Sequence, residues 1–88
     1  MATHKSAAKR ARQALSRAAR NSMITTRVKT TTRVLRDALA KGDKTAAATA
    51  LEVAAKQLRR AGSKGVLHKR TVSRRVSRLM RAANRAGV

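Results

Sequence analysis

The 88 residues include 23 lysines and arginines but only three acids, which gives a formal charge of +20 at neutral pH. Such an excess destabilises a compact chain by self-repulsion unless a polyanion neutralises it, and it therefore indicates a nucleic-acid partner. With no cysteine, disulfides and thiolate metal sites are excluded. No apolar run reaches membrane-spanning length and no secretory signal is visible at the first residues, so a cytoplasmic protein is expected.

The first predicted helix runs from about Ser6, a suitable N-cap, to about Lys41, and no proline interrupts it. Its apolar side changes in the middle. Before Asn21 the apolar residues are Ala7, Ala11, Ala14, Leu15 and Ala18, and after Ser22 they are Ile24, Val28, Thr31, Leu35 and Leu39. On an ideal helical wheel the two sets are turned by more than about 90°. We therefore expect the second half to pack in a core and the first half to project along the nucleic acid.

A tight turn is predicted at Lys41-Gly42-Asp43-Lys44, because glycine suits a left-handed residue after a helix and aspartate caps the next one. A second, alanine-rich helix follows and ends near Gly62. The segment Gly62-Ser63-Lys64-Gly65 fits the GxxG pattern of KH domains, but those folds need strands and this chain shows no alternating strand pattern. We interpret Gly62 as the terminator of the second helix and Gly65 as a turn.

The third predicted helix begins between Leu67 and Arg70, ends near Gly87 and has two distinct faces. Its apolar face consists of Val72, Val76, Leu79, Ala83 and Ala86, and its basic face consists of Arg70, Arg74, Arg78, Arg81 and Arg85. At about 100° per residue the two sets lie roughly opposite each other. A solvated face normally mixes both signs of charge. The unbalanced row of arginines instead indicates contact with a polyanion.

These elements predict an all-α fold, a three-helix bundle with a long N-terminal helix, in a single domain that spans residues 1–88. Its core must be thin, because the chain has 19 alanines, 18 larger aliphatic residues and no aromatic residue. Burial of alanine contributes little to stability, and domains of this size are already marginal. We expect a fold that is weak alone and is completed by its partner.

Nothing in the sequence predicts an enzyme, a cofactor, a metal site or a small-molecule substrate. The three acids lie around the predicted turn, where Asp43 is better explained as a helix cap than as a catalytic acid. His4 and His68 have no neighbouring ligands at metal-binding spacing. His68, which precedes Lys69, fits either a contact to a phosphate or base or an ordinary capping role. No glycine-rich nucleotide loop is present.

The kind of nucleic acid is less sharply determined. Lysine and arginine favour contacts to the phosphate backbone, and without aromatic residues base stacking is limited to what arginine can supply. Structured RNA and duplex DNA both fit recognition by shape. A histone-like DNA-compacting protein is the main alternative, although Lys-Ala-Pro repeats are absent. A helix-turn-helix regulator and a membrane-active cationic helix fit less well, because they use larger apolar side chains.

The whole chain resembles the bacterial small-subunit ribosomal protein S20 family. The resemblance rests on His4-Lys5-Ser6-Ala7 with Lys9-Arg10, on the basic region around Asn21, on Ala40-Lys41-Gly42-Asp43-Lys44, and above all on Ser63-Lys64-Gly65-Val66-Leu67-His68-Lys69 leading to Ser77-Arg78-Leu79. An asparagine usually follows the His-Lys pair in this family. Here Arg70 follows it, which adds positive charge.

The resemblance implies a three-helix protein of the small ribosomal subunit that binds 16S ribosomal RNA directly and aids 30S assembly. It further implies a monomer within the ribosome that bridges the 5′ domain of the RNA to the 3′ minor domain. By position, the family's basic motifs correspond to Lys5, Lys9, Arg10, Lys64, His68 and Lys69. Helical geometry adds to the predicted RNA-binding residues Arg12, Arg17, Arg20, Arg27, Arg70, Arg74, Arg78, Arg81 and Arg85.

Overall fold

Three helices account for most of the chain. The computed structural model describes the backbone of residues 2–88 and the side chains of residues 4–88. Helix α1 spans Ala2–Lys41, α2 spans Lys44–Ser63 and α3 spans Lys69–Arg85, and residues 2–88 contain no strand. The predicted all-α fold with a long first helix is confirmed. Helix α2 packs against both α1 and α3, whereas α1 and α3 make little direct contact.

The start of α1 differs from the prediction. The helix begins at Ala2 rather than near Ser6. A serine is a good cap only where the chain has a reason to leave the helix, and no proline or glycine precedes Ser6 to supply one. Helix α1 therefore extends by about one more turn toward the N-terminus.

The predicted turn between α1 and α2 is confirmed in its details. Gly42 has a φ of +73°, and its N–H donates to the carbonyl of Leu39 at 3.2 Å. Asp43 then caps α2, since its Oδ1 accepts a hydrogen bond from the N–H of Ala46 at 3.1 Å. The N–H of Asp43 also donates back to the carbonyl of Ala38, so one residue closes α1 and opens α2.

The end of α2 corrects a second expectation. Gly62 does not terminate the helix, which continues through Ser63 with Lys64 as its C-cap. Gly65, at a φ of +76°, is the left-handed residue, and the N–H of Val66 donates to the carbonyl of Ala61 at 2.9 Å. Gly62 has a packing role instead. A Cβ atom at this position would lie 2.9 Å from a methyl group of Val72, so glycine permits the close approach of α2 and α3.

The core is thin, as its composition predicts. Each helix contributes a few buried residues, and within residues 4–88 only Leu35 and Leu58 are large and fully buried. Seven of the thirteen buried residues in this described part are alanines, most of them on α2, which lets the neighbouring helices approach it closely. On α3 the predicted apolar face is buried at Val72, Leu79 and Ala83 and half-buried at Val76. Ala86 is exposed, because α3 ends at Arg85 and Ala86 is its C-cap.

The two halves of α1 have different environments, as predicted. Every side chain from residue 4 to residue 20 is exposed, whereas Ile24, Val28, Leu35 and Ala38 are buried against the bundle. The molecule is 63 Å long, which is close to the ~60 Å expected for a 40-residue helix. We call residues 4–20 the N-terminal rod.

Candidate nucleic-acid interface

All fifteen residues predicted to bind RNA are exposed. Within residues 4–88, no side-chain hydrogen bond joins a lysine or arginine to a carboxylate. The positive charges are therefore not neutralised internally. An exposed cation that has no partner in its own chain is available to a phosphate, at little cost in lost contacts.

The N-terminal rod presents an exposed basic surface. Arg12, Arg17 and Arg20 line one shallow surface there, together with Gln13 and Ser16. Lys5, Lys9 and Arg10 are exposed on the preceding turns, and Arg27 is exposed where the rod meets the bundle.

A cluster of threonines follows the first buried residue of α1, Ile24. The hydroxyl of Thr25 donates to the carbonyl of Asn21 at 2.8 Å, and that of Thr31 donates to the carbonyl of Arg27 at 2.8 Å. Threonine has a low helix propensity, and a hydroxyl bond to the carbonyl four residues earlier competes with the helix's own hydrogen bonds. Helix α1 is nevertheless continuous through this segment of weak intrinsic preference.

On α3, four of the five predicted arginines form an outer row. Arg70, Arg74, Arg81 and Arg85 are exposed, while Val72, Leu79 and Ala83 on the other side are buried. One Nη of Arg81 donates to the hydroxyl of Ser77 at 3.1 Å, which fixes the guanidinium along the helix without reducing its charge. The fifth arginine, Arg78, lines a groove that faces α1.

His68 has the capping role that was one of its two predicted alternatives. It is the N-cap of α3, and its Nδ1 accepts a hydrogen bond from the N–H of Arg70 at 3.1 Å. In this arrangement Nδ1 carries no proton, so Nε2 carries one and remains free to donate. The exposed Lys64 and Lys69 lie close to it in the chain. The capping role is therefore compatible with a contact to phosphate.

Sequence reasoning missed four basic residues that line a groove together with the predicted Arg78. A groove of about 570 Å³ separates α1 from α3, and Leu58 of α2 is one of its lining residues. Its lining includes five cations: Lys29, Arg33 and Arg36 from α1, and Arg75 and Arg78 from α3. The three α1 residues are separated by four and then three positions, so their place on one face of α1 could have been read from the sequence. What it could not show is that α3 places Arg75 and Arg78 opposite them.

No helix within residues 2–88 is both long and apolar enough to cross a membrane. Nor do three or more metal-ligating side chains come together in the described part of the chain.

Comparison with known proteins identifies relatives along nearly the whole chain. Residues 2–84 match the family described as Ribosomal protein S20. The chain is 51% identical to the small ribosomal subunit protein bS20 of Nitratidesulfovibrio vulgaris (strain DP4), with 96% of this chain and 97% of the relative covered. It is 51% identical to bS20 of Campylobacter lari over 97% of this chain and 98% of the relative. For bS20 of Anaeromyxobacter sp. (strain K), the identity is 52% over 94% and 91%.

Proposed function

Because the chain belongs to the ribosomal protein S20 family, we propose that it binds 16S ribosomal RNA directly through its basic helix faces and aids assembly of the 30S subunit. As a member of this family it is a structural constituent of the small ribosomal subunit and not an enzyme. The proposal concerns which surfaces reach the RNA and what they do there.

The observation that carries the proposal is the N-terminal rod. Seventeen consecutive helical residues, 4–20, are all exposed and contain no acid. An isolated helix of this length is only marginally stable in water. A segment that gains so little from its own protein needs stabilisation from outside, and its charge requires that the source be negative.

Backbone-directed binding follows from the side chains available. Each lysine or arginine that contacts a phosphate releases condensed counterions, which favours binding by an amount that falls with salt. Because the chain has no aromatic residue, specificity must come from the shape of the folded RNA rather than from base stacking. A rigid helix with arginines at fixed spacing is suited to read such a shape.

The separation of the basic surfaces supports a bridging role. The rod extends about 25 Å as a helix of its own, whereas the outer arginine row lies on α3 within the bundle. We propose that these two surfaces contact different parts of the RNA, in the 5′ domain and the 3′ minor domain. Joining two RNA segments through one small protein would favour their assembly. In this function the protein acts as a monomer within the cytoplasmic ribosome.

Competition binding tests the proposal. A 5′-domain transcript of 16S RNA and a duplex DNA of equal length would compete for the protein at several salt concentrations. We expect the transcript to be preferred at moderate salt, and Arg12→Gln with Arg17→Gln to weaken its binding. Equal affinity for the two competitors would instead favour the histone-like alternative.

Single substitutions on α3 test the outer row separately. Arg74→Ala should reduce RNA affinity and flatten the dependence of log affinity on log salt by about one counterion. Lys56→Gln, which removes one charge from an exposed position on α2, is the matched control. An unchanged salt slope for Arg74→Ala would show that this arginine faces solvent in the complex.

A further inference from the structure

We propose that the groove between α1 and α3 binds the phosphodiester backbone of one RNA strand, and that the bound strand fixes the position of α3 relative to α1. The inference rests on the proposed function, since it names a second site for the same kind of ligand. We call this surface the inter-helix groove. It is lined on one side by Lys29, Arg33 and Arg36 and on the other by Arg75 and Arg78.

The balance of charge along the groove favours an anion. Five cations meet one carboxylate there, that of Asp37, and no hydrogen bond in residues 4–88 joins this carboxylate to an arginine or lysine. Like charges on facing walls repel each other, and the repulsion is stronger beside apolar surface than in open water. The fold therefore places positive charge on both sides of a gap without compensating it.

The groove has the form expected for a strand rather than for a small metabolite. Its side is open to solvent, and its apolar lining is limited to Val28, Leu58 and Leu79. Small-molecule sites are usually enclosed and mostly apolar, with few polar groups. From Lys29 to Arg36 the α1 wall rises about 10 Å, so cations line a path instead of a single point.

A second depression, between α1 and α2, shows that the basic residues are not spread evenly over the surface. The depression there is lined by Thr31, Val34, Ala46, Thr49, Ala50 and Val53, none of which is charged. In a chain with 23 basic residues, one inter-helix surface has five cations and another has none. The segregation gives the bundle a side that attracts phosphate.

The packing explains why a bound strand would also act as a clamp. Helix α3 is attached to the bundle through α2 and makes little direct contact with α1. Repulsion across the groove opposes any closer approach of α1 and α3 in the free protein. A strand of phosphates between the walls replaces this repulsion with attraction to both helices, and so restricts the movement of α3 relative to α1.

A binding measurement with matched variants tests the site. The groove pair, Arg33→Gln with Arg75→Gln, removes one charge from each wall. The control pair, Lys56→Gln with Arg60→Gln, removes two exposed charges of α2 that lie outside the groove. For a 5′-domain transcript of 16S RNA, we expect the groove pair to bind roughly 30-fold more weakly than the wild type near 0.1 M salt. The slope of log affinity against log salt should fall by an amount that corresponds to about two counterions. The control pair should lose far less. Arg33→Lys with Arg75→Lys should retain most of the slope, because it keeps the charge.

A distance measurement tests the clamp. Since the natural chain has no cysteine, Thr30→Cys on α1 and Ser73→Cys on α3 allow two spin labels at exposed positions outside the groove. We expect the distribution of distances between the labels to narrow when the transcript or inorganic tripolyphosphate is added. The narrowing should disappear in the groove pair and persist in the α2 control pair.

The outcomes separate this inference from the proposed function. If the wild-type protein prefers the transcript but the groove pair binds as well as the control pair, the groove is not a strand site and the proposed function stands. If the wild-type protein shows no preference for the transcript, the proposed function fails, while narrowing by tripolyphosphate that is lost in the groove pair would still support the groove. A label distance that no anion alters overturns the clamp. Because the groove pair removes like charges, its thermal melt without ligand should be no lower than that of the wild type.

Discussion

Substitution of Gly62 by alanine isolates the contact that sets the spacing of α2 and α3. The added Cβ would lie 2.9 Å from Cγ2 of Val72, closer than unstrained carbon atoms approach. Valine is stiff about χ1 and Val72 is buried on its own helix, so its methyl group cannot simply rotate away. We expect overpacking to cost about 1–3 kcal/mol.

The opposing effect is the helix propensity of alanine. Gly62 lies in the last turn of α2 without a positive φ, so alanine fits the backbone and gains at most about 1 kcal/mol. The net change for Gly62→Ala is then a destabilisation of about 0–2 kcal/mol. In a Val72→Ala background the clash is absent, and the same substitution should stabilise the protein by up to about 1 kcal/mol. The coupling energy of the two sites is therefore expected at about 1–3 kcal/mol.

Urea denaturation of the four proteins measures this coupling. Far-ultraviolet circular dichroism is the suitable signal, because the chain has neither tryptophan nor tyrosine to provide intrinsic fluorescence. The slopes of free energy against urea should agree among the four, which shows that the unfolded states are comparable. A Gly62→Ala substitution that stabilises both backgrounds equally would refute the close contact between α2 and α3.

Three further predictions concern the core, a cap and the rod. Leu58→Ala should destabilise the protein by about 3–5 kcal/mol in urea denaturation, because the Leu58 side chain is only 1% exposed. Leu15→Ala, at a side chain that is 73% exposed, should have almost no effect. Similar losses of stability in the two variants would contradict the assignment of the core. Asp43→Ala should cost about 1 kcal/mol. Asp43→Asn should cost much less, because asparagine also has a side-chain oxygen that can accept from the N–H of Ala46. A thermal melt of Asp43→Ala as high as that of the wild type would show that the cap contributes nothing. In hydrogen exchange on the free protein, amides of the rod should exchange much faster than those of the packed half of α1. Addition of 5′-domain RNA should slow the exchange of the rod amides. Strong protection of residues 6–20 without RNA would show that the rod is stable alone.

Charge and core are linked in this protein. A chain with a net charge of +20 and a core in which more than half of the buried residues are alanines has little stability to oppose its own repulsion. Neutralisation by RNA would remove much of that repulsion. The thin core is therefore compatible with a protein whose working state is the complex.

Local chemistry settled the elements of this fold from the sequence alone. The turn at Gly42 and Asp43, the apolar face of α3 and the switch of face within α1 were all readable, because caps, left-handed residues and helical periodicity act over a few residues. Two local features led to wrong predictions. Ser6 looks like a cap but nothing upstream ends the helix, and Gly62 looks like a terminator although Gly65 has that role.

Only the tertiary structure decided which basic residues face each other. The spacing of Lys29, Arg33 and Arg36 is visible in the sequence, and so is the presence of Arg75, but nothing local relates one helix to the other. Their relation depends on how α1 and α3 each rotate to pack on the small residues of α2, with Gly62 against Val72 as one such contact. Rotation about a helix axis is fixed by side-chain packing between distant segments, and a linear pattern read one helix at a time does not contain it.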